Sequence, residues 1–89
     1  MKDSTLYNFK KRYNIYTNKK VLSIIMKNYL TDRQRIVIDQ ILICNKTQED
    51  VAELLHISQS TVSRHLNNGI ITIKHYMDFL NMVINSKGE

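Results

Sequence analysis

Between His56 and Asn68 the chain reads "HISQSTVSRHLNN". Four hydroxyl residues (Ser58, Ser60, Thr61 and Ser63), the amide of Gln59 and the guanidinium of Arg64 crowd into this run. The chemistry open to such a set is hydrogen bonding by short donors and acceptors, with Gln and Arg able to make paired bonds to a planar edge. Ser and Thr are weak helix formers, because their hydroxyls compete for backbone groups. Either the run is a turn followed by a helix start, or its exposed face is built to touch something polar. Val62 and Leu66, a helical turn apart, supply its buried side.

Other chemistries find no matching residues. His56, His65 and His75 do not fall at a metal-ligand spacing, and none is set beside a nucleophile in a recognisable pattern, so no catalytic residue, metal or cofactor is implied. Cys44 is the only cysteine, which precludes an internal disulfide. Its neighbours Ile41, Leu42 and Ile43 make it read as a small buried apolar residue. The five tyrosines fall on or near apolar faces, which favours packing over base stacking.

A length of 89 residues suits one small domain. No apolar run is long enough to span a membrane, and the N-terminus lacks the apolar segment of a secretory signal. A cytoplasmic protein is the expectation. The formal charge is +5, and it is uneven. Residues 1–30 hold Lys2, Lys10, Lys11, Arg12, Lys19, Lys20 and Lys27 against Asp3 alone. The middle of the chain is acidic, with Asp32, Asp39, Glu49, Asp50 and Glu53. A basic N-terminal third fits attraction to nucleic acid or to an acidic protein surface, and equally a solvated helix face.

The elements that position the polar run read as helices throughout. Proline is absent, and apolar residues recur every three or four positions. The expectation is an all-α domain of about five helices. Leu6, Phe9 and Tyr13 mark a short first helix, and "NIYTN" a break. Leu22, Ile25, Met26 and Tyr29 mark the inward face of a second, from about Lys19 to Tyr29. Thr31 with Gln34, and Thr47 with Asp50, have the spacing of capping boxes. The first box opens a helix carrying Ile36, Val37, Gln40, Ile41 and Cys44; the second opens a short one with Val51, Ala52, Leu54 and Leu55 inward. His56-Ile57 is the turn, and Ser58 caps a long last helix. Along that helix Val62, Leu66, Gly69, Ile73, Tyr76, Leu80 and Val83 alternate by four and three, a heptad rhythm. Gly69 opposes continuity, since Gly costs about 1 kcal/mol relative to Ala inside a helix. The stripe nonetheless keeps phase across it, which favours one continuous helix, packed on the N-terminal helices of the same chain rather than on a second copy. Three parts follow: residues 1–29 as basic N-terminal helices, 30–75 as the core, and 76–89 as a helical extension and tail.

From Thr47 to Leu66 the pattern is short helix, tight turn, second helix. Ala52 is the small residue where two helices cross, and Ile57 plugs the turn. This is a helix-turn-helix over residues 47–67, whose second helix enters the DNA major groove N-terminus first. Gln59, Ser60, Ser63 and Arg64 are the base-edge candidates: Gln pairs with adenine and Arg with guanine. Lys46, Thr47, Thr61, His65 and Asn67 are placed for phosphates. For Ser58 and Thr61, helix capping alone is the competing role.

The stretch "LTDRQRIVIDQILICNKTQEDVAELLHISQSTVSRHLNNGIITIK" resembles region 4 of sigma-70 family RNA polymerase sigma factors. The likeness runs from Leu30 to about Lys74, roughly half the chain, through the blocks "LTDRQR", "TQEDVAELL" and "ISQSTVSRHL". Response-regulator helix-turn-helices share several blocks but have a shorter gap before Ala52. The resemblance implies −35-type promoter recognition and contact with RNA polymerase. Three features depart from the family pattern. His56 stands where the family usually has glycine in the turn. After "SRHL" the last helix has Lys74 as its only cation before the tail, so phosphate anchoring must come from elsewhere, with the N-terminal lysines as candidates. At 89 residues the sequence is expected to be too short to include the region that binds the −10 element.

Two functional classes follow. One is a sequence-specific DNA-binding transcription regulator whose partner is double-stranded DNA. The other is a protein-interaction module that uses Ile73, Tyr76, Leu80 and Val83 as a seam for RNA polymerase, a sigma factor or a second copy of itself.

Overall fold

A computed structural model describes residues 19–87, and every secondary-structure element among them is helical. Helix α1 spans Lys19–Tyr29 and buries Leu22, Ile25 and Met26, the i, i+3, i+4 stripe expected of it. Tyr29, expected to face inward with them, lies half outside and stacks on Tyr76, ring centroids 4.0 Å apart. The expected first helix, through Leu6, Phe9 and Tyr13, lies outside the described residues.

Helix α2 spans Asp32–Ile38 and runs on as a π-helical turn over Asp39–Ile43. Its start is the expected capping box: Thr31 Oγ1 accepts from the Gln34 amide at 3.2 Å, and the Gln34 side chain accepts from the Thr31 amide at 3.1 Å. The buried stripe here is Val37, Ile38, Ile41 and Leu42, with Ile36 exposed. The helix ends at Ile43, and Asn45 turns the chain in the left-handed region at φ 60°. Cys44 therefore sits on the outside of that turn. It is exposed, which corrects the expectation of a buried thiol.

Helix α3, Gln48–Leu55, opens on the second capping box, with Thr47 Oγ1 accepting from the Asp50 amide at 3.0 Å. Val51 and Ala52 are buried and Leu55 half-buried, whereas Leu54 is exposed rather than inward. Helix α4 runs unbroken over Gln59–Lys87, about 44 Å at 1.5 Å per residue. It is the element on which α1, α2 and α3 all pack.

The four described helices enclose one core, with Val37, Ile38, Leu42, Val51, Val62, Leu66, Ile70 and Ile73 at its centre. Gly69 lies within α4 with helical backbone and faces α2. A Cβ built there would collide with Ile38 Cδ1 and lie 3.3 Å from Ile38 Cγ1. The glycine therefore leaves room for the Ile38 side chain against α4, which keeps its course through it. From there the buried stripe keeps Ile73 of the heptad positions and adds Ile70 and Met77 beside them. Ile73 is wholly inside the chain's own core and has no surface to offer a seam. Tyr76 is half-buried, and Leu80 and Val83 are exposed. No helix among the described residues is long and apolar enough to cross a membrane.

Candidate nucleic-acid interface

The turn between α3 and α4 is fixed by backbone chemistry. His56 adopts the left-handed conformation, φ 58° and ψ 44°. The Ile57 amide donates to Ala52 O at 3.0 Å and the His56 amide to Glu53 O at 3.4 Å. These are the two bonds of a Schellman motif, which satisfies the last carbonyls of α3. Ile57 then folds back and packs against the core. Together these contacts set the angle at which α4 leaves the turn.

Ser58 begins α4. Its Oγ accepts from the Thr61 amide at 3.1 Å, an N-cap bond. The same oxygen lies 2.8 Å from Thr61 Oγ1 and 3.0 Å from Ser60 Oγ. Three hydroxyls thus form one cluster over the start of the helix. Ser60 and Thr61 are tied into the cap, and each has a local partner that competes with any outside one.

The first two turns of α4 divide cleanly. Val62 and Leu66 are fully buried. Gln59, Ser60, Arg64 and Asn67 are exposed, and Thr61, Ser63 and His65 lie at the boundary. The exposed face continues to Asn68, one turn beyond Arg64. Asn68 was not among the expected contacts, although its i+4 spacing from Arg64 puts it on the same face. Lys46 and Thr47 are exposed before α3, where Thr47 is already engaged in its capping box.

The helix starts differ in charge, and α1, like α4, has no acidic residue in its first turn. Asp32 occupies the first turn of α2, and Glu49 and Asp50 that of α3, where carboxylates offset the positive helix end. The first turn of α4 holds no acidic residue. Its partial positive charge is left for a ligand, and backbone amides at such an end suit a phosphate. The neighbouring α3 is less suited: Lys46 borders a groove of 360 Å³ that Asp50 and Glu53 also line.

A short helix, a tight left-handed turn and a second helix with a buried apolar side and an open polar end define a helix-turn-helix domain. Residues 28–75 match the family described as Sigma-70, region 4, more than half of the chain. The chain belongs to that family, whose helix-turn-helix binds DNA in transcription. No curated protein and no solved structure matches the chain.

Proposed function

We propose that this protein is a sequence-specific DNA-binding regulator that reads a −35-type promoter element with the N-terminal end of α4. The observation that carries this reading is the division of that end. Its apolar side is locked in the core by Val62 and Leu66, its polar side is open, and its first turn is free of acids. In the groove, Gln59, Ser60, Ser63 and Arg64 face base edges. Lys46, Thr47, Thr61, His65 and Asn67 face phosphates. The Thr47 hydroxyl accepts within its cap and keeps its hydrogen to donate outward, whereas the Thr61 hydroxyl shares a bond with Ser58 in which either oxygen can donate.

The test is titration of a labelled −35-type duplex and a scrambled one with the wild type and Arg64→Ala. The variant is expected to lose about 1–3 kcal/mol on the first duplex and much less on the second. Equal loss on both would make Arg64 a phosphate contact. No loss on either would remove it from the interface.

A second reading is favoured by the far end of α4. Past Met77 the helix is apolar on several sides, with Phe79 52%, Met82 60% and Val83 41% exposed. In sequence Asp78, Asn81 and Asn85 interrupt this stretch at helical spacing, and an exposed apolar side beside polar positions suits a docking contact. In this reading Tyr76, Leu80 and Val83 dock on RNA polymerase, a sigma factor or a second copy of the chain. Phe79→Glu would then abolish that association while leaving DNA titration unchanged.

A further inference from the structure

The DNA-reading unit carries no net charge. Residues 30–75 hold five cations, Arg33, Arg35, Lys46, Arg64 and Lys74, and five acids, Asp32, Asp39, Glu49, Asp50 and Glu53. The tail from 76 to 89 adds Lys87 against Asp78 and Glu89. All of the protein's positive excess therefore lies before residue 30. DNA affinity rests largely on neutralising phosphates, and a neutral unit supplies little of that.

Geometry places part of this charge near Lys46, ahead of α3. Lys19 and Lys20 are exposed at the head of α1. Lys19 borders a groove of 700 Å³ together with Gln40 and Ile43 from the π-helical end of α2. The Gln40 carbonyl in turn accepts the Lys46 amide at 2.9 Å, and Lys46 immediately precedes the cap of α3. The head of α1 and the approach to α3 thus share one edge of the molecule. Asp39 is the single acid in that groove, against Lys19, Lys27 and Arg35, and Arg35 is paired with Asp32 at 2.9 Å. In sequence Lys10, Lys11 and Arg12 precede Lys19.

We infer that Lys19 and Lys20, continuing the edge from Lys46, form a second contact to the DNA phosphate backbone, independent of sequence and separate from the base-reading end of α4. The inference rests on the DNA-binding reading above and assigns the source of affinity that the cation-poor α4 lacks. Base choice comes from Gln59 and Arg64; binding strength and its salt dependence come from the head of α1.

The test uses the full chain, with Lys19→Gln/Lys20→Gln and Lys19→Arg/Lys20→Arg, titrated against a −35-type duplex and its scrambled version over a range of salt. Both positions are exposed, and far-ultraviolet circular dichroism checks that the helices persist. Each phosphate contact adds about 0.9 to the slope of log K against log salt, so the glutamine pair should lower the slope by about 1.8 on both duplexes. Affinity near physiological salt should fall about tenfold, with the ratio between duplexes unchanged, and the arginine pair should behave as wild type. Preference between duplexes with an unaltered slope in the glutamine pair would overturn this inference and leave the α4 reading standing. Binding to both duplexes without preference, lost in the glutamine pair, would uphold the inference and overturn the α4 reading. No retention of either duplex by the wild type would overturn both, and an acidic protein surface would be the partner of the basic edge.

Discussion

Ile38 Cδ1 fills the space that a Cβ on Gly69 would occupy. Two effects oppose each other there. Alanine would gain about 1 kcal/mol of helix propensity. It would also push against the terminal methyl of a fully buried Ile38, and overpacking of that kind costs about 1–3 kcal/mol. Gly69→Ala should therefore destabilise by about 1 kcal/mol in urea unfolding. Ile38→Val removes the offending methyl, so the double variant should be more stable than the sum of the single effects by about 1 kcal/mol. Additive effects would mean that α2 and α4 are not in contact at this point.

His56 supplies a second stability test. A left-handed residue with a side chain costs about 1–2 kcal/mol, and glycine avoids that while losing more entropy on folding. His56→Gly should raise the melting temperature by a few degrees, the shift expected of roughly 0.5–1 kcal/mol in a domain this small. His56→Val should lower it, because a β-branched residue tolerates positive φ poorly. A lower melting temperature for glycine would show that the imidazole makes a contact worth more than the strain.

The two capping boxes separate structure from function. Thr31→Ala and Thr47→Ala each remove the same kind of cap and should cost about 1 kcal/mol of stability. Thr31 is not among the proposed contacts, whereas Thr47 is. DNA titration should therefore fall for Thr47→Ala and hold for Thr31→Ala. Equal DNA affinity in both variants would restrict Thr47 to capping.

Ser58 allows the helix end itself to be probed. An aspartate keeps the N-cap bond and its charge suits the helix start, so Ser58→Asp should fold at least as well as wild type. The same charge would repel a phosphate at that end, so affinity for any duplex should fall about tenfold. Undiminished DNA affinity would place the phosphates elsewhere.

The parts of this fold that were legible in the sequence are those set by short-range chemistry. Thr31–Gln34, Thr47–Asp50 and Ser58 were readable as caps because a cap needs only the right side chain three residues before the right amide. His56 was readable as a left-handed residue because it stands where the family pattern has glycine. The phase of α2 was not legible. Seven of the nine residues from Ile36 to Cys44 are apolar, so periodicity alone cannot choose a face, and the π-helical turn leaves no local signature. Ile38 was missed and Cys44 misplaced for that reason. The role of Gly69 depends on Ile38, a residue 31 positions away in the chain, which no local rule sees. The heptad spacing of α4 was real, but among the described residues the core ends at Met77, so Leu80 and Val83 keep the rhythm without the burial. For the interface, residue types and helix face were readable, whereas the ties of Ser60 and Thr61 to Ser58 were not.

The most direct test of DNA reading by α4 is selection of bound duplexes from a random pool by the full chain, at two salt concentrations. Sequence-specific recognition predicts an asymmetric consensus recovered at both salts, with Arg64→Ala losing preference at one or two positions of it. Recovery of unrelated duplexes, retained at low salt and released at high salt, would contradict it, because only phosphates would then be in contact.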